Sequence, residues 1–193
     1  MIRLTVMNAV ALVLVGSVVS SALAFKEPEG FRGVPWGASE DELRDKLGET
    51  SAHGVLFDRC GAYPSEQRWL GDRFCAGAFP IGGITLKAVY RFRVNRFVGV
   101  MLTFRAEDFD DLVAMFRERY GPPTTSATEP FKTQGGLEGT NQLHRWIGPT
   151  IAISIQHFSG QISEGAATLT TNRELQESAQ IRAEQLKGAA KGL

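Results

Sequence analysis

The chain has 193 residues, of which 43% are apolar, with 21 basic and 21 acidic side chains. This length and apolar content predict one domain with a proper core. The balanced charge excludes a general binder of nucleic acid or of anionic membranes, because such proteins carry a basic excess.

The first 24 residues have the three parts of a secretory signal peptide. Arg3 supplies the positive charge, an apolar run of about 14 residues extends from Val6 to Val19, and Ala22-Leu23-Ala24 offers small residues for cleavage. The run is shorter than the roughly 20 residues that a membrane-spanning helix needs. We therefore predict cleavage after Ala24 and a periplasmic or secreted product that is not stably inserted in a membrane.

Residues 25–171 are predicted to form a single α+β domain, and residues 172–193 a C-terminal helical tail. The first helix is predicted over residues 40–47. Ser39 and Glu42 form a capping box, in which each side chain binds the backbone amide of the other residue. Leu43 and Leu47 lie on one face of this helix, and Gly48 is well placed to end it.

Alternating apolar residues predict strands over residues 55–60, 68–74, 84–94 and 97–105. A two-residue turn at Asn95-Arg96 would place the apolar sides of the last two strands on opposite faces. A three-residue loop over residues 94–96 pairs Phe92 with Val98 and Tyr90 with Val100, which aligns them. We predict this second register, since a slip of one residue reverses every side chain.

The second half of the chain repeats the order of helix and strands. A buried stripe predicts a helix over residues 108–120, and a polar, Gly- and Thr-rich composition predicts a mobile loop over residues 124–139. Strands over 141–147, 150–158 and 165–171 follow, and then a weakly amphipathic helix over 174–187. Consecutive strands predict an α+β fold with an antiparallel sheet and a C-terminal helix, and the repeated order favours a tandem α–β repeat.

The sequence resembles a group of small exported bacterial proteins of unknown function. The resemblance lies in the opening Phe31-Arg32-Gly33-Val34-Pro35-Trp36-Gly37-Ala38-Ser39, in Leu47-Gly48, and in the later Tyr90-x-Phe92 and Tyr120-Gly121-x-Pro123. The layout is also similar to the envelope modules related to the outer-membrane assembly lipoprotein BamE and to β-lactamase inhibitor proteins. The resemblance implies a non-catalytic, protein-binding fold. It assigns no functional residue.

Cys60 and Cys75 are the two cysteines of the chain. An even number of cysteines in an exported protein indicates a disulfide. A redox pair is the alternative, although the C-x-x-C spacing is absent.

No linear motif predicts a catalytic, metal or cofactor site. His53, His144 and His157 lie in separate segments without the spacing of zinc ligands. No G-x-S-x-G elbow is present, Ser39 is explained by capping, and a triad assembled only in space stays open. We therefore predict no metal and no cofactor.

One face of the hairpin over residues 84–105 has the composition of a contact surface. In the chosen register its outward side combines basic, aromatic and methionine side chains. Aromatic residues, methionine and arginine are enriched at protein interfaces. The predicted binding residues are Lys87, Arg91, Arg93, Arg105, Met101 and Phe97, with the adjoining loop over residues 124–139 as a second possibility.

Three functions follow, in decreasing order of support. The first is an exported, non-catalytic module that binds another envelope protein, as an accessory factor or an inhibitor. The second is a periplasmic binder of a small anionic or amphiphilic ligand, held between sheet and helix near Trp36, Trp69 or Trp146. The third is a hydrolase whose site no linear motif reveals.

Overall fold

The chain folds as two successive units, each made of a helix and a four-stranded meander. The computed structural model describes residues 25–48, 56–133 and 135–191. The predicted signal peptide and His53 lie outside this part of the chain. Within it, no helix is both long and apolar enough to cross a membrane.

The first unit comprises a small hairpin, one helix and four strands: β1 (Gly30–Phe31), β2 (Val34–Pro35), α1 (Glu40–Gly48), β3 (Leu56–Ala62), β4 (Arg73–Ile81), β5 (Ile84–Arg93) and β6 (Arg96–Arg105). The second comprises α2 (Phe109–Tyr120), β7 (Thr125–Lys132), β8 (Glu138–Ile147), β9 (Ile151–Gln156) and β10 (Glu164–Thr171), followed by α3 (Asn172–Ala190). Short 3₁₀ helices occupy Ser65–Leu70 and Ala106–Asp108.

The two meanders join into one antiparallel sheet of eight strands, in the order β3-β4-β5-β6-β10-β9-β8-β7. The last strands of the two units, β6 and β10, pair at its centre, from Gly99 opposite Thr170 to Arg105 opposite Glu164. The structure therefore confirms the α+β class, the antiparallel sheet and the tandem order of helix and strands.

The inner face of the sheet holds the core, and α2 packs on it. Tyr90, Leu102, Trp146 and Ile153 are at most 2% exposed. The ring of Phe116 in α2 lies 5.9 Å from that of Trp146. The other side of the sheet, the outer face, carries the start of α3.

Helix α1 begins as the sequence predicts. The backbone amide of Ser39 donates to a Glu42 carboxylate oxygen at 2.7 Å, and the Glu42 amide donates to the Ser39 hydroxyl at 3.2 Å. Leu43 and Leu47 are buried, and the helix ends at Gly48. The capping box and the apolar pair are confirmed.

The β5–β6 hairpin has the predicted register but a different turn. Tyr90 lies opposite Val100, as predicted, yet the turn contains only Val94 and Asn95, because Arg93 pairs with Arg96. A β-bulge restores the register: Phe92 lies opposite Phe97 rather than Val98. Val98 is the extra residue of this bulge, and its insertion turns Phe97 toward the inner face.

The prediction of a mobile loop over residues 124–139 is wrong. Most of it is β7, which pairs with β8 from Thr125 opposite Arg145 to Lys132 opposite Glu138. As the last strand of the sheet, β7 is exposed along most of its length. Since neither of its faces is buried, its sequence shows no apolar alternation, and a polar composition is compatible with an edge strand.

The prediction of a strand over residues 68–74 is wrong for the first half of that range. Residues there belong to the 3₁₀ helix Ser65–Leu70, and β4 begins only at Arg73. A Gly71 with φ of 143° separates the two elements. The backbone at this position favours glycine, which marks the break that alternation alone did not reveal.

Candidate functional site

The predicted disulfide is present between β3 and β4. Cys60 and Cys75 lie directly opposite each other in the ladder and are bonded. One carboxylate oxygen of Glu40 and the two sulfurs lie within 4.8 Å of one another. The sulfurs are joined to each other, and Glu40 binds Arg73 at 2.7 and 3.2 Å. The cluster is therefore the Glu40–Arg73 ion pair beside the Cys60–Cys75 disulfide. The disulfide sulfurs are not thiolates that could bind a metal.

The structure buries two of the six predicted binding residues and partly buries a third. Phe97, expected on the outward side, is fully buried in the inner core because of the β-bulge. Arg93 is only 6% exposed. The expected exposure of Phe97 and Arg93 is therefore wrong, and that of Arg91 is wrong in large part.

Arg91 lies under the start of α3 and the 3₁₀ helix Ser65–Leu70. Its guanidinium donates to the Thr170 hydroxyl at 2.7 Å and to the Leu70 carbonyl at 3.3 Å. Burial lowers the pKa of this guanidinium, and Glu174 opposes that effect. Arg91 thus serves the packing of the outer face rather than a contact with a partner.

Arg93 and Glu174 fasten α3 to the sheet. The guanidinium donates to both carboxylate oxygens, at 2.6 and 2.8 Å. Glu174 is 1% exposed and lies in the first turn of α3, where the Thr171 hydroxyl accepts from its amide. The hydrogen bonds with Glu174 raise the pKa of Arg93. A helix predicted as weakly amphipathic is thus anchored by a buried ion pair.

The other three predicted residues remain accessible. Met101 is 39% exposed, and the side chains of Lys87 and Arg105 are 73% and 70% exposed. Lys87 pairs loosely with Glu164 at 3.4 Å, and Arg105 pairs with Asp108 at 3.1 Å. The structure therefore keeps Lys87, Met101 and Arg105 together at the open end of the outer face.

Two rows of side chains run across this open end from β4 to β7. We call them the outer sheet face. The first row is Ala78, Lys87, Thr103, Ala166, Gln156, Leu143 and Ala127. The second row is Ala76, Val89, Met101, Thr168, Ser154, Arg145 and Thr125.

Most side chains at the centre of the outer sheet face are small. Alanine, threonine and serine occupy most of its central positions, and the hydroxyls of Ser154 and Thr168 bind each other at 2.8 Å. Met101 lies near its centre, with Val89 directly opposite on β5. The rows follow from the strand order, which joins the ends of the two units, so no single sequence segment reveals them.

The three tryptophans have different surroundings. Trp146 is buried, and its indole N–H donates to the Gly121 carbonyl at 2.8 Å. The ring of Trp69 lies 4.6 Å below the Arg182 guanidinium. Trp36 stacks on Phe97 and lines a cleft of about 520 Å³. Of the three, Trp36 therefore has the surroundings closest to those of a ligand site.

A Ser–His pair that the sequence does not predict lies between β7 and β8. Ser126 is opposite His144, and its hydroxyl lies 2.7 Å from Nδ1 of the ring. Burial lowers the pKa of His144, and Arg117 contributes in the same direction. Among the described residues no carboxylate is hydrogen-bonded to this ring. The pair satisfies a buried imidazole between Phe109 and Trp146. The sequence does not predict this pair, because β7 has the composition of a loop and its pairing with β8 was therefore not expected.

Comparisons with known proteins give no relative from which a role can be transferred: no family model, curated protein or solved structure matches the chain.

Proposed function

We propose that the protein is an exported, non-catalytic module that binds another protein of the bacterial envelope through the outer sheet face. The observation that carries this proposal is the exposure of Lys87 and Met101 within two rows of mostly small side chains. A surface that extends across seven strands suits a macromolecular partner.

The area of the outer sheet face can supply about half of a standard protein interface. Neighbouring strands lie about 4.8 Å apart, so seven strands span about 29 Å. Each row covers about 7 Å along the strands, so the two rows cover about 29 by 14 Å, or about 400 Å². This is half of the roughly 800 Å² that one partner contributes to a standard interface. The contact would therefore extend beyond the rows, toward Arg105 at one end of the strands.

The composition of the face supports the same function. Methionine and arginine are enriched in protein interfaces, and Met101 and Arg105 are exposed here. Lys87 adds a further cation with only one weak ion pair. Glu107 and Asp108 already pair with Arg105, so a partner surface with an apolar patch opposite Met101 would complement this arrangement.

Export is the second part of the proposal. It is supported by the signal-peptide pattern of residues 1–24 and by the Cys60–Cys75 disulfide, since disulfides persist in oxidising compartments. The periplasm or the extracellular medium would then be where the partner is met.

The test is native mass spectrometry of the protein captured from its own envelope fraction. The wild-type chain is expected to carry one polypeptide in fixed stoichiometry, and Lys87→Glu/Met101→Glu is expected to lose it. Arg44→Glu/Gln67→Glu changes the charge equally at exposed positions elsewhere and is expected to retain it. Equal capture by all three proteins would refute this use of the outer sheet face.

A further inference from the structure

An apolar groove lies on the inner side of the molecule, between α2 and strands β4 to β6. We call it the α2 groove. It is a half-open groove of about 660 Å³, within the range of roughly 300–1,000 Å³ typical of ligand pockets. Its lining combines the core side chains Phe31, Phe79, Leu86 and Leu102 with the more accessible Ile81 and Met115. This lining suits an apolar ligand.

Arg32 places a guanidinium on this groove from an unusual backbone position. It is the first residue of the β1–β2 turn, where its φ is 52° and that of Gly33 is 80°. Asparagine and glycine are the residues that such turns prefer. The turn carries the guanidinium to 4.1 Å from the centre of the Phe79 ring, at the wall of the groove.

Arg119 adds a second cation to the lining. It is exposed near the end of α2 and lies 5.7 Å from the Tyr120 ring. Glu118 also lines the groove, so these three side chains leave one net positive charge. An apolar slot with an excess cation complements a molecule that has a long apolar chain and a single negative charge.

We propose that the α2 groove binds a free fatty acid, with its acyl chain on the apolar walls and its carboxylate at Arg32 and Arg119. This site lies on the other side of the sheet from the outer sheet face. It adds a ligand to the proposed protein-binding function and does not depend on it.

Chain length and head group test the ligand class. Calorimetric titration of the mature protein with decanoate, dodecanoate and tetradecanoate, below micelle formation, is expected to show saturable one-site binding. Each added methylene should strengthen binding about fourfold until the groove is full. Dodecanol should bind about tenfold more weakly than dodecanoate, because it lacks the charge that the arginines bind.

A filling variant tests the location. Ala114 is exposed on α2 and lines the groove, so Ala114→Trp should block it with little effect on folding. Asp111→Trp on the same helix lies outside the lining and should bind dodecanoate like the wild type. Equal affinity of the two variants would overturn the site.

Charge variants test the role of the arginines. Arg32→Asn creates the preferred Asn-Gly turn, so the fold should persist while dodecanoate affinity falls about tenfold. Arg32→Lys should recover part of that loss. Arg119→Gln should weaken dodecanoate binding and leave dodecanol binding unchanged, whereas Arg117→Gln, outside the lining, should change neither. An unchanged ratio of dodecanoate to dodecanol affinity in Arg32→Asn and Arg119→Gln, or no saturable binding at all, would refute the proposal.

Discussion

The Arg93 guanidinium and the Glu174 carboxylate form a two-bond ion pair, at 2.6 and 2.8 Å, that joins β5 to the first turn of α3. Both side chains are almost completely shielded from solvent. The pair fastens the first turn of α3 to the outer face, away from the exposed Met101.

Removing one partner of this pair should destabilise the fold strongly. Glu174→Gln leaves the Arg93 charge buried without its carboxylate, and we expect a loss of about 3–5 kcal/mol in the free energy of unfolding. Urea unfolding followed by circular dichroism measures it. Glu177→Gln is the control: this carboxylate lies farther from Arg93, at 3.6 Å, is partly exposed, and should cost at most about 1 kcal/mol. Equal losses in the two variants would show that the Arg93–Glu174 pair is not the anchor.

The Cys60–Cys75 disulfide should stabilise the fold through the loop that it closes. For a sequence separation of 15 residues the chain-entropy model predicts about 3 kcal/mol. We expect Cys60→Ser/Cys75→Ser to unfold at lower urea concentration, by an amount equal to the effect of a reductant on the wild type. A reductant should not alter the double variant. An unchanged midpoint in the double variant would contradict this role.

His144 should make stability depend on pH in the neutral range. Burial is the main cause that lowers its pKa in the folded protein below 6.5. The unfolded chain therefore binds the proton more readily, and stability should be full above pH 6.5 and fall as the pH drops toward the folded pKa. Unfolding measured between pH 5 and 8 tests this, with His144→Gln expected to lose this part of the dependence. An identical pH profile for His144→Gln would contradict the assignment.

Val94 should store strain in the β5–β6 turn. Its φ of 49° lies in the left-handed region, where a β-branched residue is disfavoured, and its side chain is 74% exposed. Val94→Gly should therefore stabilise the fold by about 1 kcal/mol. Val94→Ala removes the same exposed side chain but keeps a Cβ, so it should gain less. Thermal unfolding of both variants decides the matter, and a stabilisation no larger for glycine than for alanine would exclude strain as the cause.

The elements that the sequence predicts correctly are those with one buried side. The Leu43–Leu47 pair of α1, the body of the β5–β6 register and the stripe of α2 all have regular spacing of apolar residues. Strand β7 has neither face buried, so periodicity carries no information about it. Its polar composition is shared by edge strands and loops.

The candidate face could be predicted only in part. Lys87, Met101 and Arg105 follow from alternation alone. Phe97 does not, because it and Val98 are both apolar and a bulge can turn either one inward. The burial of Arg93 depends on Glu174, 81 residues away in the chain. The pattern of neighbouring residues does not reveal a contact between residues so far apart in the chain.

Photo-crosslinking from single positions in living cells is the sharpest test of partner binding through the outer sheet face. A photoreactive amino acid at position 101 lies in the outer sheet face, and one at position 45 lies on exposed α1 as the matched control. We expect a discrete adduct with one envelope protein from position 101 and none from position 45. Adducts of equal yield from both positions, or from position 45 alone, would contradict binding through the outer sheet face.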